Sequence, residues 1–236
     1  MSRFSSLKIE VATLILLIAG CSTPPTSLEA SFLLLPSVAE SNYKNGDSNI
    51  DLASLEWAFS PNGDALPLLY GHTKQLKIVD QAEKAQLQFS IEPQSNESAE
   101  SYSLEIGKQK ITIQAQDQAG LFYAFITLNQ FIEDALDQGL PLPLVQLQDA
   151  PKIAFRPIQI DIKHHLEKKE YYYDLIDELA QLKINGMILE IEDKLQYKRR
   201  PEVASSDALS IEEWKAISEY AIARNISISP FHFDQK

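Results

Sequence analysis

The sequence has 236 residues, 44% of them hydrophobic and 23% charged, with only 8 Gly and 12 Pro, which excludes a disordered, collagen-like or low-complexity chain and leaves room for a real core. Lys and Arg number 21 against 33 Asp and Glu, a formal charge of −12; such a surface repels phosphate backbones and anionic bilayers, so no nucleic-acid partner is expected. The single cysteine can form no intrachain disulfide, and no CxxC or Cys/His cluster offers a metal site, so neither metal nor cofactor is expected.

Arg3 and Lys8 precede the apolar run Val11–Gly20, about 15 Å long as a helix and too short for a ~30 Å hydrocarbon core. A basic start, a short apolar run and small residues at its end make residues 1–20 a secretory signal peptide. The stretch Leu17-Ile18-Ala19-Gly20-Cys21 resembles the lipobox of bacterial lipoproteins, which implies lipidation of Cys21 as the mature N-terminus. Several acyl chains at ~0.8 kcal/mol per buried CH₂ anchor a protein stably, so the expected location is the bacterial cell envelope. Ser22 after the cysteine resembles outer-membrane sorting. Residues 21–30, rich in Pro, Ser and Thr, read as a tether.

Residues 31–150 form the first domain. Phe32–Pro36 is a short apolar run; Asn45-Gly46-Asp47 and Pro61-Asn62-Gly63-Asp64 are turn signals. Strand patterns fall at Ala85–Ile91, Tyr102–Ile106 and Lys110–Ala115, the last two joined as a hairpin through Gly107-Lys108-Gln109. From Ala119 to Leu136 the apolar residues recur at spacings of three and four, predicting a long helix capped by Asp117 and ending near Gly139. Leu144–Gln148 is one more strand. The expectation is an α+β domain, a helix laid on an antiparallel sheet.

Residues 151–236 change rhythm. A strand Ile158–Ile162, a helix near Lys168–Lys183, a strand Gly186–Ile191, a helix near Ile211–Arg224 and a strand Ile226–Phe231 alternate. Ser210 with Glu213 matches a capping box. Such alternation requires crossovers and a parallel sheet, doubly wound or a barrel.

Side chains alternate across a strand. With Met187, Leu189 and Ile191 facing the helices, Glu190 and Glu192 face the other way, and Asp193 starts the next loop. By the same logic Ile158, Ile160 and Ile162 pack under helices while Gln159, Asp161 and Lys163 face inward. Polar inward residues at the C-terminal ends of parallel strands are where a barrel keeps its active site; a solvated loop entry or a structural Lys–carboxylate pair is the bland alternative. Glu190 and Glu192 do not read as a glycosidase pair, because both lie on one strand and the usual mechanisms flank the scissile bond. No GxSxG, P-loop or HExxH occurs. His164-His165 point apart and read as a loop feature, Lys198-Arg199-Arg200 as a solvated loop, and Tyr171-Tyr172-Tyr173 as partly core and partly surface.

Several stretches resemble glycoside hydrolase family 20, the β-N-acetylhexosaminidases. In the first domain they are Tyr102–Ile106, Ile111–Ala124 with its Ala-x-Asp117-x-Ala-Gly120-Leu-Phe-Tyr-Ala124 core, and Leu144–Pro151. In the second they are Phe155-Arg156-Pro-Ile-Gln-Ile-Asp161, Leu182-Lys-Ile-Asn185 and Glu190-Ile-Glu192-Asp193-Lys-Leu-Gln-Tyr197. The hexosaminidase D-like branch, with Asp-x-Lys after the first strand and Glu-x-Glu-Asp after the second, is nearer than the rest.

The resemblance implies an α+β domain followed by an incomplete (β/α)8 TIM barrel of about three strands. It implies hydrolysis of terminal N-acetylhexosamine from glycans by substrate-assisted catalysis, with the sugar's acetamide as nucleophile. Asp161, Lys163, Glu190, Glu192 and Asp193 are then substrate-binding or supporting residues, and Arg156 is structural; His164 stands where the wider family has a sugar-gripping Arg. The family's catalytic Asp-Glu pair follows the fourth strand, and no counterpart is found before Lys236. The expectation is therefore an inactive truncated hydrolase, or a split enzyme completed by a second polypeptide. The competing class is a non-enzymatic surface lipoprotein that binds glycan or protein through its α+β domain.

Overall fold

The computed structural model describes residues 31–231 apart from Asn96 and His164. The signal peptide, Cys21 and the tether, His164 and the tail after Phe231 lie outside the described residues.

The first unit is a seven-stranded sheet with one long helix on it. Its strands are β1 (Glu40–Asp47), β2 (Trp57–Phe59), β3 (Lys77–Ile78), β4 (Leu87–Ile91), β5 (Tyr102–Ile106), β6 (Ile111–Ala115) and β7 (Pro143–Asp149), in the order β1-β7-β5-β6-β4-β2-β3. The helix, α1 (Gln118–Gln138), lies between β6 and β7 in sequence. Alternation along β5 and β6 buries Tyr102, Leu104, Ile106, Ile111, Ile113 and Ala115. The helix supplies the other half of the core, Phe125 meeting Phe89 edge-on at 5.9 Å and Phe131 meeting Phe32 at 5.6 Å. Its start is fixed by Asp117, whose Oδ1 accepts from Gly120 N at 2.8 Å. It stops where Gly139 takes φ 65° and the Leu140 amide reaches back to the Ala135 carbonyl at 2.8 Å.

Two expectations are corrected here. The sheet is mixed: β1, β7, β5 and β6 are antiparallel, but β4 runs parallel to β6, and β2 runs parallel to both β4 and β3. The hairpin β5–β6 is a local pairing that its turn announces, whereas the place of β4 beside β6 depends on a crossover that no local pattern records. The Asn45-Gly46-Asp47 signal is not a turn between elements. It lies inside β1, where the register against β7 slips between Lys44 and Asp47 and Gly46 adopts φ 96°, so the glycine serves a bulge. Phe32–Pro36 forms no strand. It runs along α1, with Leu33 N donating to Asp134 at 2.7 Å and Leu35 N to Gln130 at 3.0 Å, while Phe32 and Leu34 enter the core.

The second unit is β8 (Pro157–Asp161), α2 (Lys169–Gln181), β9 (Gly186–Glu190), α3 (Ile211–Ile222) and β10 (Ser227–Phe231). Its strands are all parallel, with β9 between β8 and β10. The Ser210–Glu213 capping box is present in both directions. On α2, Tyr172, Ile176, Leu179 and Ala180 are buried at helical spacing, and Tyr173 meets Tyr220 of α3 at 4.7 Å. Tyr171 is exposed, so the tyrosine run divides between core and surface.

Two polar clusters join the units. Asp177 of α2 accepts hydrogen bonds from Tyr70 of the sheet unit at 2.8 Å and Tyr220 of α3 at 2.7 Å, and pairs with Arg224. Burial pushes the Asp177 carboxyl up, but these hydrogen bonds outweigh it and hold the group below the usual aspartate range. At the second cluster, Lys183 Nζ contacts Tyr102 Oη and Asp149 Oδ2, both at 2.8 Å. Arg156 Nη2 pairs with Glu100 at 2.6 Å, and its Nε donates to the Lys183 carbonyl at 2.9 Å. Arg156 is structural here, as the sequence implies.

Candidate functional site

The register of the parallel strands sorts their side chains into rows. Ile158, Met187 and Ile228 are paired in one row and Ile160, Leu189 and Pro230 in another; Met187 and Leu189 are fully buried, which marks this as the helix-covered face. The alternate rows, Gln159 with Ile188 and Asp161 with Glu190, face the other way.

Asp161 and Glu190 thus sit side by side at the C-terminal ends of β8 and β9, about 4.8 Å apart across the ladder. Two carboxylates in one row repel. Lys163, two residues beyond Asp161 on the same face, resolves this: its Nζ lies 2.7 Å from Glu190 Oε1 and 3.2 Å from Asp161 Oδ2. Hydrogen bonds to Glu190 and then to Asp161 hold the ammonium above the usual lysine range. Glu190 is buried, whereas the Asp161 side chain is 43% exposed. The outcome is a fixed array of one cation and two carboxylates whose Asp161 edge is open to solvent, a surface that can both donate to and accept from hydroxyl groups.

The other two sequence-derived residues are not in this array. β9 ends at Glu190, and Glu192 is exposed in the following turn at φ 43°; it therefore does not share the strand face of Glu190, a correction to the alternation reading. Its carbonyl accepts from Tyr197 Oη at 2.7 Å. Asp193 does not start the loop, which begins at Ile191; it is the third residue, beside Glu192 in the turn. Its carbonyl accepts from Ser205 N at 2.9 Å and its carboxylate lies 3.7 Å from Lys194 Nζ.

Lys194, absent from the sequence reading, is the anchor of this loop. Its buried Nζ reaches Asp207 and Ser205 Oγ at 3.1 Å, and its carbonyl accepts from Trp214 Nε1 of α3 at 3.0 Å. A lysine in a charged loop carries no sequence signal of burial; only its partners ten or more residues on reveal it. His165 is exposed and lies 2.9 Å from Glu167, and Arg200 pairs with Glu202. Among the described residues, no three metal-ligating side chains converge.

Residues 34–150 match the family model described as glycosyl hydrolase family 20, domain 2. The sheet unit is a family 20 domain 2, and the chain as a whole is similar to the β-N-acetylhexosaminidases of that family. A β-N-acetylhexosaminidase of Cellulomonas fimi is 24% identical over 149 residues, which are 61% of this chain and 30% of that enzyme. The crystal structure of β-N-acetylhexosaminidase from Bacteroides fragilis superposes with a TM-score of 0.70 at 18% identity, covering 84% of this chain and 44% of that one. The Flavobacterium johnsoniae chitobiase gives a TM-score of 0.69 at 20% identity, covering 86% and 35%. The structural likeness thus extends past the sheet unit, while the chain spans less than a third of the Cellulomonas relative and less than half of the solved family 20 structures.

Proposed function

We propose that this family 20 chain supplies the sheet domain and the opening three strands of the catalytic barrel of a glycosidase acting on terminal N-acetylhexosamine. The observation that carries this reading is the Asp161–Lys163–Glu190 array, at the C-terminal ends of adjacent parallel strands and on the face away from the helices, where a barrel holds its substrate. In that role Lys163 donates to a sugar hydroxyl while Asp161 accepts from one. Glu190, buried and engaged by Lys163, orients the cation and is not presented to a leaving group. None of the three flanks a scissile bond, so bond cleavage falls to groups that these residues do not supply, on further barrel strands or on a second polypeptide.

We also propose that Cys21 is lipidated and holds the protein in the bacterial envelope, at the outer membrane. The basic n-region, the short apolar run and the Leu-Ile-Ala-Gly-Cys21 sequence support this.

A chimera tests the enzymatic reading. Residues 31–231 joined to the remaining barrel strands of the Bacteroides fragilis relative should fold, by circular dichroism and a cooperative melt, and release nitrophenol from a chromogenic N-acetyl-β-glucosaminide. Lys163→Met in that chimera should lower kcat/KM about 10- to 100-fold, the worth of a hydrogen bond to a charged group at ~1.5–3 kcal/mol. A folded chimera without hydrolysis, or one indifferent to Lys163→Met, overturns the assignment.

A further inference from the structure

The seven-stranded sheet has one face covered by α1 and one face open. Alternation decides which side chains stand on the open face, and strand register lines them up in rows across the sheet. The middle row is Asn42 of β1, Gln146 of β7, Glu105 of β5, Thr112 of β6, Gln88 of β4 and Phe59 of β2, each paired with the next. Strand spacings of ~4.8 Å make this row about 24 Å long. A groove of about 420 Å³ follows it from β1 to β6, among Asn42, Gln146, Glu105 and Thr112. Trp57, two residues before Phe59 and on the same face, is 37% exposed.

In a chain of formal charge −12, the row is uncharged. Its one ionic member, Glu105, is offset by Lys44 of β1 at 3.7 Å. Charge is kept to the two margins and differs in sign between them: Lys77 and Lys110 stand on the side of Trp57, and Glu40, Glu92 and Glu97 on the other. The side chains of Asn42, Gln146, Thr112 and Gln88 make no hydrogen bond to a described residue, so amide and hydroxyl donors and acceptors alternate with nothing but solvent above them. Water alone can satisfy such a face. Two aromatic rings at the end of an uncharged amide row add what a sugar chain uses: rings that take its C–H faces and side chains that both donate to and accept from its hydroxyls. Lys77 Nζ stands 5.7 Å from the Trp57 ring centroid, a long cation–π contact at an exposed site that a stacked sugar ring can displace.

We propose that the open face of the sheet binds a chain of uncharged pyranose sugars laid across the strands, stacked on Trp57 and Phe59 at one end and hydrogen-bonded by Gln88, Thr112, Gln146 and Asn42 along the rest. Charge selects the neutral ligand. A polyanion lying in this row gains at the lysine margin and is repelled at the glutamate margin, and a polycation meets the reverse. A single ring reaches only a few of these side chains, so length is part of the recognition. The inference does not rest on the glycosidase reading, because Asp161, Lys163 and Glu190 all belong to the parallel-strand unit and none stands on this sheet.

The test is fluorescence and calorimetric titration of the purified 236-residue protein. Of its two tryptophans Trp214 is buried, so a change in emission from an exposed tryptophan reports Trp57. Cellohexaose and the hexamer of N-acetylglucosamine should shift that emission to the blue and bind about tenfold more tightly than glucose or N-acetylglucosamine. Hexagalacturonate and the glucosamine hexamer, the anionic and cationic controls, should bind about tenfold more weakly than the neutral hexamers. An excess of N-acetylglucosamine, which the single-sugar array can hold but which cannot span the row, should leave the hexamer shift in place. By calorimetry, Gln88→Ala and Gln146→Ala should each weaken hexamer binding about three- to tenfold without lowering the melting temperature, since neither side chain has a partner to lose. Trp57→Ala should weaken it about tenfold, and Lys215→Ala, on the exposed side of α3, should leave it unchanged. Binding by neither neutral hexamer, tighter binding of a charged one, displacement of the hexamers by the monosaccharide, or binding indifferent to both glutamine variants would overturn the proposal. If Trp57→Ala melts early, the two glutamine variants decide.

Discussion

Lys183 and Asp149 meet across the domain junction at 2.8 Å, with side chains only 7% and 13% exposed. Asp149 ends β7 of the sheet unit, and Lys183 lies in the turn after α2, so this buried ion pair is one of the contacts that hold the two units together. Burial pulls the lysine ammonium below its ordinary range while Asp149 partly restores it. Removing one partner of such a pair leaves a charge buried in low dielectric. Lys183→Met should therefore destabilise the protein by about 3–5 kcal/mol. Urea denaturation of Lys183→Met, Asp149→Asn and the double variant forms a cycle, and a coupling near zero would refute that role.

The second junction cluster predicts a pH dependence. Asp177 is held below the usual aspartate range by Arg224, Tyr220 and Tyr70 against the opposing effect of burial. A carboxyl depressed in the folded state adds stability that is complete above the unfolded value of ~3.9 and is lost as pH falls through the folded value. Urea midpoints measured from pH 7 downward should fall less steeply below that point in Asp177→Asn than in the parent protein. Parallel acid limbs would show that the cluster contributes nothing through ionisation.

Gly120 predicts a steric effect in the stretch that most resembles family 20. A Cβ there would strike the Ser101 carbonyl oxygen far inside contact distance and crowd the Glu100 carbonyl at 3.1 Å. Both are backbone atoms, which cannot rotate away. Gly120→Ala, favourable in an ordinary helix, should instead lower stability by about 1–3 kcal/mol and loosen α1 from the loop before β5. Thermal melts check this, and a raised melting temperature would contradict the close approach.

How much of this the sequence discloses depends on the reach of each signal. The α1 helix, its Asp117 cap and Gly139 stop, the β5–β6 hairpin and the Ser210–Glu213 box are all written within a few residues and are found where the pattern places them. The pairing of Asp161 with Glu190 follows from strand alternation once the strands are parallel. Glu192 escapes the alternation because β9 ends two residues earlier and the chain turns through a positive φ. Lys183, Lys194 and Asp177 were beyond reach for another reason: each is a charged residue whose burial is set by partners on other elements, up to 107 positions away in the case of Tyr70 and Asp177. The parallel placing of β4 beside β6 is likewise a long-range fact.

The lipid-anchor proposal predicts that cells expressing the full chain incorporate labelled palmitate into the protein, and that Cys21→Ala abolishes both the label and recovery in the membrane fraction. Palmitate incorporation by Cys21→Ala, or recovery of the parent protein in the soluble fraction alone, would contradict it.

The most direct trial of the account is a hydrolysis assay on the purified 236-residue polypeptide with a chromogenic N-acetyl-β-glucosaminide. In the proposed function the Asp161–Lys163–Glu190 array holds a sugar but brings no proton donor to the far side of the glycosidic bond, so release of nitrophenol should not exceed the enzyme-free blank. Sustained turnover that disappears with Lys163→Met would mean that these strands already contain a working catalytic centre, contrary to the account.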